Sequence, residues 1–281
     1  MTATNRRLLR TLKAGLRHPR ALSGVPRTAA RTAEDSLVAL RVTKEYGLGN
    51  GLPEVDLLDL LPGFSATVRS YTFLDGTSPP LDLAVIKALA QQLDNGTYLE
   101  IGTWRGESVL NVADTGAQCV SLSLGPGELR AIGASEDFIA QNRILSAEMS
   151  NVTYLEGNSL TFDFGPLEGR FDLIFVDGDH SYDAVRRDTE TAFLLRRDES
   201  SIILWHDYGY SPETVRWPVL AGILDGCPPE NRHELVHVSN TLLAMHRTAP
   251  IKSRRSRTPS TPSTLFTVDV TAQPWCVDGT A

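Results

Sequence analysis

Several absences narrow the class of this chain before any motif is read. No apolar run reaches the roughly 18 residues that a membrane span needs, and the basic N-terminal stretch has no continuous apolar core behind it, so no signal peptide is expected. Cysteine is scarce. The three in 281 residues, Cys119, Cys227 and Cys276, stand far apart and are odd in number. They fit neither a disulfide framework nor a metal-ligand spacing, and a reducing, cytoplasmic setting is the expectation. Acid is missing from one end. Residues 1–33 hold eight Arg or Lys and no Asp or Glu, although the whole chain carries a net charge of −7. The other 248 residues therefore carry 19 basic and 34 acidic side chains.

A basic arm on an acidic body has two readings. It is a contact for an anionic membrane surface or another polyanion, or it is a solvated tail. Residues 5–17 set Leu8, Leu9, Leu12 and Leu16 on one helical face with cations opposite, and His18-Pro19 ends that pattern. A membrane-peripheral placement through 1–33 is thus one expectation. No nucleic-acid partner is expected, and a homo-oligomer is compatible with the sequence.

What is present is ordinary for a globular body: 41% hydrophobic and 22% charged residues. Residues 34–80, broken by Pro53, Pro62, Pro79 and Pro80, read as a helical and loop extension. From residue 81 onward helices and strands alternate. Residues 81–93 (LDLAVIKALAQQL) predict an amphipathic helix closed by Asn95-Gly96. Strands are predicted at 98–102, 119–124, 152–157, 171–177, 201–207, 234–238 and 241–247. Helices are predicted from Gly106, over 136–149 and over 181–195. The alternation implies an α/β fold, a mostly parallel seven-stranded sheet with helices on both faces. The Pro- and Ser-rich stretch 249–264 reads as a linker, and LFTVDV (265–270) as a returning edge strand.

Two places carry chemistry. The first is the turn after the first of these strands, residues 100–108 (EIGTWRGES). Gly102 permits a sharp turn, Gly106 permits close approach of backbone to a ligand, and the new helix offers free N–H groups. Dinucleotide enzymes place three glycines here to hold pyrophosphate. This turn lacks the third, and Glu100 would repel a phosphate. An acid there suits a cationic ligand. The carboxylate expected for a ribose at the end of the next strand is also missing, with Ser121 and Ser123 in its place. Asn158 and Ser159, past the third strand, are either contacts for an adenine edge or an ordinary polar turn.

The second place spans two strand ends: VDGDH at 176–180 and WHDY at 205–208. Ligands of doubly wound sheets bind beyond the carboxyl ends of the strands, near the switch point. Glu100, Asp177, His180, His206 and Asp207 should converge there. Such groups are costly to bury without partners. Taken singly, Asp179 reads equally well as a helix cap and His206 as a core imidazole.

At these residues the chain resembles class I S-adenosylmethionine-dependent methyltransferases, in particular a bacterial subgroup that includes sugar and macrolide-sugar O-methyltransferases. The segments that carry the resemblance are YLEIGTWRGES, FDLIFVDGDHSYDAVRRD and IILWHDYG, within residues 81–248. The resemblance implies a Rossmann-like fold and S-adenosyl-L-methionine as cofactor. It would be held by Glu100, Gly102, Thr103, Trp104, Gly106, Ser108, Ser123, Asn158, Ser159 and Asp177. It also implies Mg²⁺ or Mn²⁺ on Asp177, His206 and Asp207, with Asp177 and His180 catalytic and His180 the general base. His206 departs from the pattern, because those relatives carry a carboxylate or amide there; Mg²⁺ prefers oxygen, so Mn²⁺ gains. The implied acceptor is a small molecule or glycan bearing a hydroxyl. The rival readings are a dinucleotide-dependent oxidoreductase, which the missing glycine and missing ribose acid oppose, and a non-catalytic binding or membrane-docking module.

Overall fold

A computed structural model describes residues 25–93, 95–256 and 258–275, with side chains from residue 34. The leucine stripe of residues 5–17 and Cys276 lie outside the described residues.

The centre is a nine-stranded sheet. In chain order its strands are β1 (Glu54–Val55), β2 (Thr97–Ile101), β3 (Gln118–Ser123), β4 (Val152–Glu156), β5 (Leu173–Val176), β6 (Ile202–Trp205), β9 (Leu235–Val238), β10 (Ala244–His246) and β11 (Ser253–Arg254). A separate two-stranded ribbon joins β7 (Gly209–Ser211) and β8 (Thr214–Val215). The spatial order is β11-β1-β9-β10-β6-β5-β2-β3-β4. From β4 to β6 all pairs are parallel, and β10 runs antiparallel between β6 and β9. The seven expected strands are all present. Two more extend the sheet beyond them: β1 pairs parallel with β9 and antiparallel with β11.

The strands form where the chain is apolar on both sides. Leu173, Ile174, Phe175 and Val176 are all buried, as are Ile202, Ile203, Leu204 and Trp205. Their alternate side chains feed two cores. Tyr98, Leu173, Phe175 and Leu204 pack under α3 (Pro80–Gln91) and α4 (Glu107–Ala113) with Val85, Ile86, Leu89, Val109 and Val112. Leu99, Ile101, Ile174, Ile203 and Trp205 pack on the other face with Val185, Ala192, Val219, Leu220 and Ile223. These last come from α7 (Tyr182–Leu195) and α8 (Trp217–Gly226).

Three elements differ from expectation. The region before Pro53 holds one long helix, α1 (Val25–Tyr46), which starts inside the basic arm, and a single turn, α2 (Leu57–Leu60), follows β1. The long helix buries Val42 against the α7–α8 face, with Val38 and Tyr46 beside it. The helix expected over 136–149 is short. Only α6 (Glu136–Ala140) is helical, after α5 (Pro126–Ala131). The chain then turns because Arg143 takes a left-handed φ of 63° and its N–H donates to the Trp104 carbonyl, while Leu145 N donates to Arg105 O. Backbone bonds to the glycine turn replace further helix. Finally, residues 265–270 form no strand, and Leu265, Val268 and Val270 stay exposed. The returning strand is β11, inside the stretch read as a linker, where Arg254 makes two hydrogen bonds to Glu54 of β1. Among the described residues no helix is long and apolar enough to cross a membrane.

Candidate active site

The strand order reverses between β2 and β5, so the chain leaves these neighbours in opposite directions and opens a cleft beyond their carboxyl ends. Gly102 follows β2 there with a φ of 100°. A Cβ on it would lie 2.2 Å from the Asp177 carbonyl oxygen and 2.5 Å from Gly178 N. Only glycine lets the β2 and β5 ends close up in this way. At Gly106, φ is 90° and a Cβ would meet Ser146 Oγ at 2.1 Å. The close approach anticipated there is thus made to the chain's own 141–148 turn.

A cavity of about 380 Å³ occupies the cleft. Gly102, Trp104, Gly106 and Ser108 form its glycine-turn side, and Asp177, His180, His206 and Asp207 its floor. Thr77 and Pro79, from the loop before α3, bound its mouth. That loop is pinned to the start of α4: the Thr72 and Thr77 hydroxyls donate to Glu107 Oε1 at 2.6 and 3.2 Å. Arg105 also donates to the Asp75 carbonyl, and its guanidinium lies over the Trp104 ring at 3.8 Å. Trp104 stacks in turn on Phe138.

The other expected cofactor residues lie outside the cavity lining. Glu100 is fully buried and does not line the cavity. Its carboxylate accepts from Tyr98 Oη at 2.8 Å and from Thr103 Oγ1 at 2.5 Å, and Ser108 bonds to it as well. Burial pushes its pKa up to about 7, against these hydroxyls, which favour the charged form. Glu100 therefore braces the turn from beneath. Thr103 is buried and shares a further hydrogen bond with Ser121. Ser123 accepts from Arg143 Nη2 at 3.1 Å, and that guanidinium also pairs with Glu156. Asn158 closes a local turn by accepting from Leu160 N, and Ser159 lies beside the buried Asp188 carboxyl, whose pKa burial raises to about 6. None of Glu100, Thr103, Ser123, Asn158 and Ser159 lines the cavity.

The floor brings together what the sequence scattered. Backbone bonds set the positions: Asp177 N donates to Ile101 O and His206 N to Val176 O. Asp207 has a left-handed φ of 52°, uncommon for a residue with a side chain. One ligand atom each from Asp177, His206 and Asp207 lies within 4.8 Å of the others. A single ion with bonds of about 2.0–2.6 Å spans that distance. His206 is buried, and its Nδ1 lies 3.2 Å from Asp177 Oδ1 and 3.6 Å from Asp207 Oδ2. Nδ1 makes a hydrogen bond to neither. A buried nitrogen aimed at two carboxylates, with no hydrogen-bond partner, fits a cation between them. Burial opposes charge on His206, but Asp177, Asp207 and Asp82 outweigh it and hold its pKa well above the usual value.

His180 faces the same cavity, and its Nε2 lies 2.9 Å from Asp207 Oδ2. Arg216 approaches Asp207 at 3.6 Å. Burial opposes charge on Asp207, but its contacts with His180 and His206 outweigh that and hold its pKa far below the usual range. Sequence reasoning missed Asp82, at the first turn of α3, and the Thr77 and Arg105 side of the mouth. Asp82 is completely buried, 3.1 Å from His206 Nε2. The available signal was an acid set among Leu81, Leu83 and Val85 on an apolar helix.

Fold and floor together define an α/β Rossmann-like protein with a ligand cleft at its switch point and a candidate cation site in it. Residues 99–208, less than half of the chain, match the family model described as a methyltransferase domain. No curated protein matches the chain. Among solved structures, the chain is similar to the O-methyltransferase of Bacillus cereus in complex with S-adenosylhomocysteine, at 16% identity over 76% of this chain and 91% of that one, TM-score 0.40. It is similar also to the CcbJ methyltransferase of Streptomyces caelestis, at 15% identity over 49% of this chain and 53% of that one, TM-score 0.36. The YcgJ protein of Bacillus subtilis gives 16% identity over 44% of this chain and 49% of that one, TM-score 0.35. The chain thus spans about half the length of the last two.

Proposed function

We propose that this protein transfers a methyl group from S-adenosylmethionine to a hydroxyl of a sugar, glycan or hydroxylated natural product, with a divalent cation on Asp177, His206 and Asp207. The observation that supports this best is the unpartnered, buried His206 Nδ1 facing two carboxylates, beside the glycine turn of a methyltransferase-domain match. In this reading Gly102, Trp104, Gly106 and Ser108, which line the cavity, would hold the cofactor. A bound cation supplies Lewis acidity, which lowers the pKa of an acceptor hydroxyl.

The chain's own groups do the rest. A carboxylate only accepts hydrogen bonds, so His180 donates from Nε2 to Asp207, and Nδ1 of the neutral ring is left basic to take the hydroxyl proton. Asp207 orients that imidazole. S-adenosylmethionine held there would supply the methyl group, and the cleft would help mainly by aligning the two reactants. The mouth formed by Thr77, Pro79 and Trp104 is the surface against which the acceptor packs.

The test is transfer of labelled methyl from S-adenosylmethionine to a panel of hydroxylated sugars and glycosides, with Mn²⁺, with Mg²⁺ and with chelator. Turnover should need the cation, and His180→Ala should slow the chemical step by something like 10²–10⁴-fold. Turnover indifferent to chelator removes the cation from this reading. Full activity of His180→Ala removes the base.

A further inference from the structure

The floor of the cleft has a support that lies outside the methyltransferase-domain match. Asp82 is the third residue of α3, with no measurable exposure, between Leu81 and Leu83. Two nitrogens reach its carboxylate. Leu242 N donates to it at 3.2 Å, and His206 Nε2 lies 3.1 Å from the same oxygen. Leu242 and His206 are both cavity-lining residues. A buried carboxylate is costly unless its hydrogen bonds repay the lost water. Holding one loop N–H does not need a buried acid, since a hydroxyl or a carbonyl oxygen accepts as well.

The geometry of His206 states the other task. Its ring has two nitrogens with different surroundings. Nε2 points back to Asp82 and away from the acids of the floor, whereas Nδ1 points at Asp177 and Asp207. An ionised carboxylate only accepts, so a hydrogen bond to Asp82 keeps the proton on Nε2. With the Nε2 proton committed to Asp82, the nitrogen left to meet a metal ion in place of its second proton is Nδ1, the atom that faces the floor without a hydrogen-bond partner. Phe175 packs edge-on to the ring at 5.9 Å and restrains it further.

We propose that Asp82 is the positioning residue that fixes the His206 tautomer and ring orientation, so that Nδ1 serves as a nitrogen ligand of the cation and the site favours Mn²⁺ over Mg²⁺. This rests on the reading of Asp177, His206 and Asp207 as a cation site. Carboxylates that orient ligating imidazoles raise metal affinity through ligand basicity and fixed geometry. A nitrogen donor in an otherwise oxygen set shifts preference away from Mg²⁺ toward later divalent ions. The family match begins at residue 99, so α3 supplies this support from a part of the chain that the match does not cover.

The experiment is a Mn²⁺ titration of the full chain, followed by the electron paramagnetic resonance of free Mn²⁺, with Mg²⁺ as competitor. Wild type, Asp82→Asn and Asp82→Ala are compared, with circular dichroism confirming the fold. Asp82→Ala should weaken Mn²⁺ binding 10–100-fold, the usual worth of such a partner. Asp82→Asn keeps an acceptor oxygen of the same reach and should recover much of that loss. Pulsed resonance of the Mn²⁺-loaded wild type should show coupling to an imidazole nitrogen, and Asp82→Ala should lose it. Should Asp82→Ala not fold, nitrogen-15 spectra of the Zn²⁺-loaded wild type report which His206 nitrogen holds the proton; Nε2 is expected, and a proton on Nδ1 overturns the assignment. Unchanged affinity and unchanged nitrogen coupling in Asp82→Ala overturn the role of Asp82 alone. Wild type that binds no Mn²⁺ overturns the cation site itself, and the assignment falls with it.

Discussion

Glu100 shows how one residue can be found by sequence and still do another job than the one expected. The motif EIG located it correctly beside the cleft, but periodicity cannot say on which side of a turn a carboxylate points. In the structure it points inward, to Tyr98, Thr103 and Ser108. That placement has a measurable consequence. Burial holds the Glu100 proton up to about 7, against an ordinary value of 4.5. The folded state thus binds this proton more tightly than the unfolded chain does. Its contribution to stability is in full below pH 4.5 and is lost as pH rises toward 7. Across that window the loss is on the order of 3 kcal/mol. Glu100→Gln cannot ionise, so its unfolding free energy, measured by urea melts between pH 4.5 and 7.5, should lack most of this fall. Equal pH slopes for the two proteins would show Glu100 already ionised in the fold. Asp82 was illegible for a related reason. An acid in the first turn of an amphipathic helix reads as a favourable helix start, and nothing local tells that the opposite end of its reach is a histidine 124 positions away.

At the scale of elements, the strands were the most legible feature, because β5 and β6 are buried on both faces and leave unbroken apolar runs. The failures lie where a partner distant in sequence decides. Residues 141–148 leave the helix to bond the glycine turn, and β11 forms in a polar stretch because Arg254 reaches Glu54. The extent of α1 has the same origin. Its contact with the α7–α8 layer is fastened at Asp225, which accepts from Tyr182 Oη at 2.6 Å and from Tyr46 Oη, and pairs with Arg41 at 2.8 Å. Although burial opposes its charge, these donors keep the Asp225 pKa below the usual range, so the staple is intact at neutral pH and weakens only in acid. Asp225→Ala leaves two half-buried phenols and a guanidinium without their acceptor. Hydrogen bonds to charged groups are worth about 1.5–3 kcal/mol each, but these are partly exposed, so a loss of about 2 kcal/mol is expected. Hydrogen exchange should show α1 opening more readily than the strands in this variant. Uniform loss of protection across the sheet, or none, would contradict a local staple.

The body of the described residues is a nine-stranded sheet with a core on each face, and the cleft lies at the seam where strands from both halves of the order meet. Gly102 backs directly onto Asp177 and Gly178, so the glycine-turn side and the floor are held by the same main-chain contact. A ligand in the cleft therefore binds only when both halves of the sheet are in place. The two cores share the strands β2, β5 and β6, which favours cooperative unfolding of the layers together. Binding then stabilises the entire fold by mass action rather than a single loop. At a concentration 100 times its dissociation constant, a ligand specific to the folded state adds about 2.7 kcal/mol. For a chain of this size that raises the unfolding midpoint by roughly 5–10 °C. S-adenosylhomocysteine should produce this shift, and NAD should not, because the glycine turn lacks the third glycine and no acid lies at the end of β3 to hold a ribose. Mn²⁺ should raise the midpoint on its own in wild type and fail to do so in Asp177→Asn, whose response to S-adenosylhomocysteine should persist if the cofactor is held by the glycine turn. A shift with NAD and none with S-adenosylhomocysteine would return the chain to the oxidoreductase reading. A shift with neither would leave the cleft without a nucleoside ligand and favour a binding module.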